Sequence, residues 1–186
     1  YGRATRALLA AEALDQAVAL TLKLGRRESH AERQQLLTQG SENLQQTGGA
    51  DDTREFADNL IRSAKFLTEN HDPLAQADHF TGVADQLVAR MDTAARKNPK
   101  ALNRLRQDYF NVMSQGVHRN LDIAATSSAN STEYYHKLQK IIQHNLQLQA
   151  KLRATLRDKP EQAEGRKQLD QVGHPLHRLE RRPPAA

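Results

Sequence analysis

Cysteine and tryptophan are both missing from this chain of 186 residues. The first absence excludes a disulfide framework, a thiolate metal site and a cysteine nucleophile together. The second, with only four Phe and four Tyr, leaves a core of Leu, Ala, Val and Ile, a composition that suits helices better than sheets. No apolar run approaches the ~18 residues that a spanning helix needs, and the N-terminus lacks the basic-then-apolar pattern of a secretory signal. A chain that starts at Tyr1 is expected to be a processed product or an excised fragment. The nine glycines are scattered, with no G-x-G and no G-K-[ST], so no phosphate-cradling loop is expected.

Apolar residues make up 38% of the chain and the mean hydropathy is −0.78, below the ~45–50% apolar content of an average domain. Thin helical layers, or helices that complete their burial against a partner, follow from that shortage. The net charge of +5 is unevenly spread. Residues 1–50 hold six Lys/Arg against five Asp/Glu, a net of +1; residues 51–97 hold six against nine, a net of −3; residues 98–186 hold fifteen against eight, a net of +7. An acidic middle is followed by a basic half.

Helical periodicity fills nearly the whole length. Ala7, Ala11, Leu14 and Val18 step by four, three and four, which predicts a core-facing helix over residues 3–24. Residues 26–46 read as an exposed helical extension ended by Gly48-Gly49. Asp52-Thr53-Arg54-Glu55 has the form of a capping box before Phe56, Leu60, Ala64 and Leu67. Asp72 and Pro73 suit a cap and a first helical turn. The helix they open carries the cleanest heptad, Ala77, Phe80, Ala84, Leu87, Met91 and Ala94. Asn98-Pro99 repeats the device, and Leu102, Leu105, Tyr109 and Val112 lead on to Val117, Leu121 and Ala124; Gly116 is expected to weaken this helix by about 1 kcal/mol relative to Ala. Residues 126–132 read as a loop, with Asn130 as the cap of the last long helix. Tyr134, Leu138, Ile141, Asn145, Leu148 and Leu152 then follow at strict four/three spacing. Asn145 has two readings, a buried residue that fixes register or a polar residue at the edge of the stripe. A short helix over residues 161–172 is expected next, broken by Gly173 and Pro175, then a disordered tail over residues 181–186.

These patterns predict an all-α fold, an elongated bundle of about five helices in which a four-helix-bundle-like core carries a helical extension. The division expected is a bundle over residues 1–157, a short helical or irregular segment over residues 158–180, and the tail. No strand signal and no fixed repeat appear.

No catalytic or cofactor site is expected. His136 and His144 stand eight apart, and His174 and His177 three apart around Pro175, but neither pair has carboxylates at ligand spacing, so no metal site is expected either. No G-x-S-x-G marks a serine nucleophile, and Asp51, Asp52, Glu55 and Asp58 have a sufficient role at a helix start, where carboxylates offset the macrodipole. Asn130-Ser131-Thr132 fits the glycosylation acceptor pattern, which matters only in a secreted protein.

The function expected is a non-enzymatic helical protein–protein interaction module, an adaptor or scaffold within a larger complex, acting by coiled-coil-like helix packing. Its partner seam is placed on Leu138, Ile141, Asn145, Leu148 and Leu152, with Lys151, Arg153 and Arg157 orienting an acidic partner surface through charge. A ligand-sensing bundle of a membrane receptor is the alternative. Nucleic-acid binding by the basic half is a further one; the scarcity of aromatics there and the interspersed Asp158, Glu161, Glu164 and Asp170 argue against it.

Overall fold

A computed structural model of the chain describes residues 69–97, 99–126, 131–157 and 163–181, together with Ala19, Phe66 and Leu67. The chain divides into two compact units, residues 1–71 and 72–186, and the description that follows concerns the second. It is all-α, with no strand among the described residues. The helices expected over residues 3–24, 26–46 and 52–67, and the Asn98 cap, lie outside the described residues, except that Leu67 is fully buried.

The helices are α1 (Pro73–Lys97), α2 (Pro99–Asn111), a π-helical segment (Val112–His118), α3 (Arg119–Thr126), α4 (Thr132–Leu156) and α5 (Ala163–Glu180). Since α2, the π segment and α3 are continuous, they form one rod, and the unit is a bundle of four rods. α1 starts as its sequence implies. Asp72 accepts hydrogen bonds from the backbone N–H groups of Leu74 (3.1 Å) and Ala75 (3.2 Å), and Pro73 occupies the first turn, where no N–H is required. Every member of its heptad, Ala77 to Ala94, is buried.

α4 is capped by Ser131, not by Asn130: the Ser131 hydroxyl accepts from the Tyr134 N–H at 3.2 Å, with Glu133 in the first turn. α5 corrects a second expectation. It runs unbroken through Gly173 and Pro175 to Glu180. The hydrogen bond that proline cannot donate would have gone to the carbonyl of Gln171, an exposed residue, so water can serve that carbonyl. Burial of Leu169, Val172, Leu176 and Leu179, worth roughly 1.5–3 kcal/mol per side chain, outweighs the proline's cost of about 3 kcal/mol. Gly173 lets the Gln149 side chain of α4 lie close: a Cβ there would stand 2.7 Å from Gln149 Oε1, which would have to shift.

Cross-helix contacts fix the topology. Tyr134 meets Asp72, Asn145 meets Thr81, His144 meets Asp85 and Thr155 meets Asp92. Numbers rise together, so α1 and α4 are parallel. Gln143 meets Glu180 and Arg153 meets Asp170, while Arg166 donates to the carbonyl of Leu156. Here numbers run in opposite senses, so α4 and α5 are antiparallel. The middle rod returns along α1, with Gly116 against Phe80, and lies beside α5, where Arg178 reaches Asp122. Each of α1 and α5 therefore packs on both the middle rod and α4. The middle rod and α4, although consecutive in the chain, sit diagonally and meet through α3.

The π segment answers a pattern in the sequence. Leu105, Tyr109, Met113, Val117 and Leu121 are all buried and recur every four residues. In an α-helix each four-residue step overshoots a full turn by about 40°, which would carry this row off the core face within four steps. The wider i→i+5 turn removes the overshoot. Gly116 sits inside it with its backbone on the Phe80 ring: an added Cβ would lie 2.5 Å from Phe80 Cγ. The carbonyl of Gly116 is engaged by the Arg119 N–H and by the buried Asn120 side chain at 2.8 Å.

Candidate functional site

Two features of the bundle carry polar chemistry: the buried polar groups along its axis and the charged outer face of α4 and α5. The five seam residues of α4 belong to the first. Leu138, Ile141 and Leu148 are 6% exposed, and Asn145 and Leu152 are fully buried. They are brought together as core, and the face they form is occupied within the bundle. Asn145 is a buried residue and not one at the stripe edge. Its amide nitrogen donates to Thr81 Oγ1 and to the Ile141 carbonyl, both at 2.8 Å, and the Thr81 hydroxyl in turn donates to the Ala77 carbonyl at 2.9 Å. A one-turn slip of α4 against α1 would leave these donors and acceptors buried without partners, a cost of about 1–3 kcal/mol for each.

Beside this link, His144 Nε2 and Asp85 Oδ2 are 2.6 Å apart and about half exposed. Other interior polar groups are less well served. The Tyr109 hydroxyl, Asn145 Oδ1, Gln149 Nε2 and His118 Nε2 are buried without a hydrogen-bond partner among the described residues. Burial drives the His118 imidazole down to about 4, against a smaller upward pull from Asp122. Burial also pushes the Tyr109 hydroxyl upward, and the Asp85 carboxylate adds to that push.

The outer face holds the three basic residues expected to orient a partner. Lys151, Arg153 and Arg157 are all exposed. Arg153 is committed within the bundle, 2.5 Å from Asp170 of α5. The side chains of Lys151 and Arg157, with those of Lys140 and Lys167, form no ion pair among the described residues. Lys140 and Lys151 are eleven residues apart, three turns of helix, and so project from one face. Antiparallel pairing sets Lys167 level with the end of α4. Several carboxylates of this face are already engaged: Glu133 with Lys137, Asp170 with Arg153, and Glu180 with Gln143 and His177. At 100° per residue Arg157 projects about 120° round α4 from Lys151, so the exposed bases lie on different outer sides of the α4–α5 pair. Charge counting along the sequence gave the sign of this region but not which bases lack an ion pair among the described residues.

The histidine pairs do not become a metal cluster. His177 pairs with Glu180 at 3.2 Å, His136 lies beside the Tyr135 ring, and no group of three or more His, Asp or Glu side chains with metal-holding geometry occurs among the described residues. No helix among them is long and apolar enough to cross a membrane.

Fold and surface together define an all-α protein whose second unit is a four-rod bundle with an apolar core, a few buried polar groups and exposed bases on α4 and α5. Comparison with protein-family models, with curated proteins and with solved structures finds no match.

Proposed function

We propose that this chain is a non-enzymatic helical interaction module, an adaptor or scaffold component of a larger assembly, and that it docks an acidic protein surface along the outer face of α4 and α5. The observation that carries the reading is the set of exposed bases on these two helices that form no ion pair among the described residues, Lys140, Lys151, Arg157 and Lys167. Leu138, Ile141, Asn145, Leu148 and Leu152 act as the rigid spine that presents them, since their own face is covered. Charge of one sign on a stiff surface steers encounter and suppresses wrong partners more than it adds affinity. Complex formation should therefore weaken as salt shortens the Debye length from about 10 Å at 0.1 M to about 3 Å at 1 M. The test is the triple variant Lys140→Glu, Lys151→Glu, Lys167→Glu, immobilised beside the native chain and exposed to extract from the source cells. Loss of the same captured protein at unchanged helicity supports the reading; identical capture by both refutes it.

A second reading, a ligand-sensing bundle, draws support from the buried polar atoms of the interior. It requires an organic compound that stays with the purified protein, which native mass spectrometry would detect.

A further inference from the structure

Cross-helix pairings bring four helix termini to one end of the bundle. Asp92 of α1 meets Thr155 of α4, Arg153 of α4 meets Asp170 of α5, and the Arg106 side chain of α2 lies against Gly165 of α5. The last turns of α1 and α4 and the first turns of α2 and α5 therefore share a level. Basic charge is concentrated there. Residues 90–97, 99–106, 151–157 and 163–170 hold eleven Lys/Arg against three Asp/Glu, a net of +8, and residues 158–162, which join α4 to α5, add one base and two acids. The rest of the four rods, residues 73–89, 107–126, 132–150 and 171–180, holds four against six, a net of −2.

Helix dipoles account for only half of this asymmetry. Bases suit the C-termini of α1 and α4, where the dipole leaves partial negative charge. The same rule asks for acids where α2 and α5 begin. Yet α2 has no acidic residue in its first turn, and Lys100, Arg104, Arg106, Arg166 and Lys167 stand within the first two turns of these two helices. Such placement works against helix stability and concentrates positive potential for a ligand of opposite sign. Part of the charge is used internally: Arg153 pairs with Asp170, and Arg166 donates to the carbonyls of Leu156 and Arg157. Arg104, Lys151, Arg157 and Lys167 are exposed, and their side chains form no ion pair among the described residues. They project from different sides of three rods, but each stands within about 8 Å of the rod end, a distance that a long Lys or Arg side chain largely covers. The end of the bundle is where they converge.

Resting on the reading that this chain docks an acidic protein, we propose that the docking site is this end of the bundle, where an acidic protein segment lies across from the middle rod to α4 and α5, held by Arg104, Lys151, Arg157 and Lys167. The middle rod and α4 are diagonal, so their axes are about 13 Å apart when neighbouring rods keep 8–10 Å, and about four extended residues span that distance. The occupant is thus a short run dense in Asp and Glu. Protein suits the site better than nucleic acid. Phe80, Tyr109, Phe110, Tyr134 and Tyr135 all fall outside these stretches, which leaves no aromatic platform for bases. Glu164 and Asp170 stand among the cations, where an unbroken row of phosphates would meet them and a peptide can place an N–H group or a neutral side chain.

The test measures anisotropy of a fluorescein-labelled glutamate peptide of about eight residues, twice the span, with the full chain at about 0.1 M salt. A glutamine peptide of equal length is the blank, and a labelled DNA duplex is the rival. Arg104→Glu, Lys151→Glu and Arg119→Glu change the net charge equally. Arg119 is exposed on α3, about 20 Å along the rod from Arg104 and two Debye lengths away. Arg104→Glu and Lys151→Glu should each raise Kd about fivefold or more, since each removes an attraction and adds a repulsion; Arg119→Glu should raise it less than about twofold, all at unchanged helicity. Arg104→Gln should give an intermediate loss, and none would count against the site. Weakening by Lys151→Glu but not by Arg104→Glu overturns the end-on site and leaves docking on α4 and α5 standing. Equal weakening by all three variants overturns the site as well, because attraction would then follow net charge alone. A peptide that does not bind, or a duplex that binds more tightly, overturns both.

Discussion

Gly116→Ala separates tertiary packing from helix propensity, because the two predict opposite signs. In an exposed helix the change should stabilise by up to about 1 kcal/mol. Here the new Cβ would stand 2.5, 2.7 and 3.0 Å from Cγ, Cδ1 and Cδ2 of Phe80, where carbon atoms in good contact keep about 3.5–4.0 Å. The ring would have to retreat by about 1 Å, and Phe80 is 1% exposed, walled in on all sides. Overpacking of this kind costs about 1–3 kcal/mol. Offset by the propensity gain, a net loss of about 1–2 kcal/mol is expected. Urea unfolding followed by circular dichroism at 222 nm would show a lower midpoint at unchanged slope. Phe80→Leu makes room, so Gly116→Ala should cost less in that background, with a coupling of about 1 kcal/mol or more. A Gly116→Ala variant more stable than the native chain would refute the packing argument, and additive single effects would show that the two residues do not meet.

Other perturbations follow from the interior. His118 has its pKa lowered to about 4 from 6.5, mainly by burial, so between these values the unfolded chain binds a proton that the folded chain refuses. Stability is therefore full above pH 6.5, declines as the pH falls toward 4, and levels off below it; the loss from this group is about 3 kcal/mol, and His118→Leu should flatten the decline in an acid-unfolding series. A double-mutant cycle on Thr81→Val and Asn145→Ala should give a coupling of about 1 kcal/mol; zero coupling would mean that the buried link contributes nothing. Leu148→Asp places a carboxylate in the core and should unfold the bundle, read as lost helicity, whereas retained helicity would mean that the α4 seam is not the spine described.

Much of the architecture is visible in the residue pattern, and the parts that are not have identifiable causes. The α1 heptad is legible because each apolar position needs only its own helix to declare its face. The middle rod was harder: the jump of five from Val112 to Val117 is present in the sequence, yet a helix assumed to wind at 3.6 residues per turn gives no reason to read it as a π segment. Gly173 and Pro175 are breakers by local chemistry, and only the neighbouring Gln149 and the exposed Gln171 explain why α5 continues. Asn145 could be placed on its stripe but not assigned its partner, since Thr81 is sixty-four positions away. Partnerless groups such as the Tyr109 hydroxyl leave no sequence trace at all, because burial without a partner is a property of the assembled bundle. The basic half was legible as charge, whereas the division between Arg153, engaged by Asp170, and Lys151, which forms no ion pair among the described residues, needed the antiparallel register of α4 and α5.

The proposal that most needs a direct test is that the exposed bases of α4 and α5 dock an acidic protein. Amine-reactive cross-linking in source-cell extract, read by mass spectrometry, tests it position by position through Lys140, Lys151 and Lys167. Cross-links from these lysines to acidic segments of one protein, diminished at about 1 M salt, are the predicted result. Cross-links to a partner confined to residues away from these helices, or a nucleic acid held there in place of a protein, would contradict it.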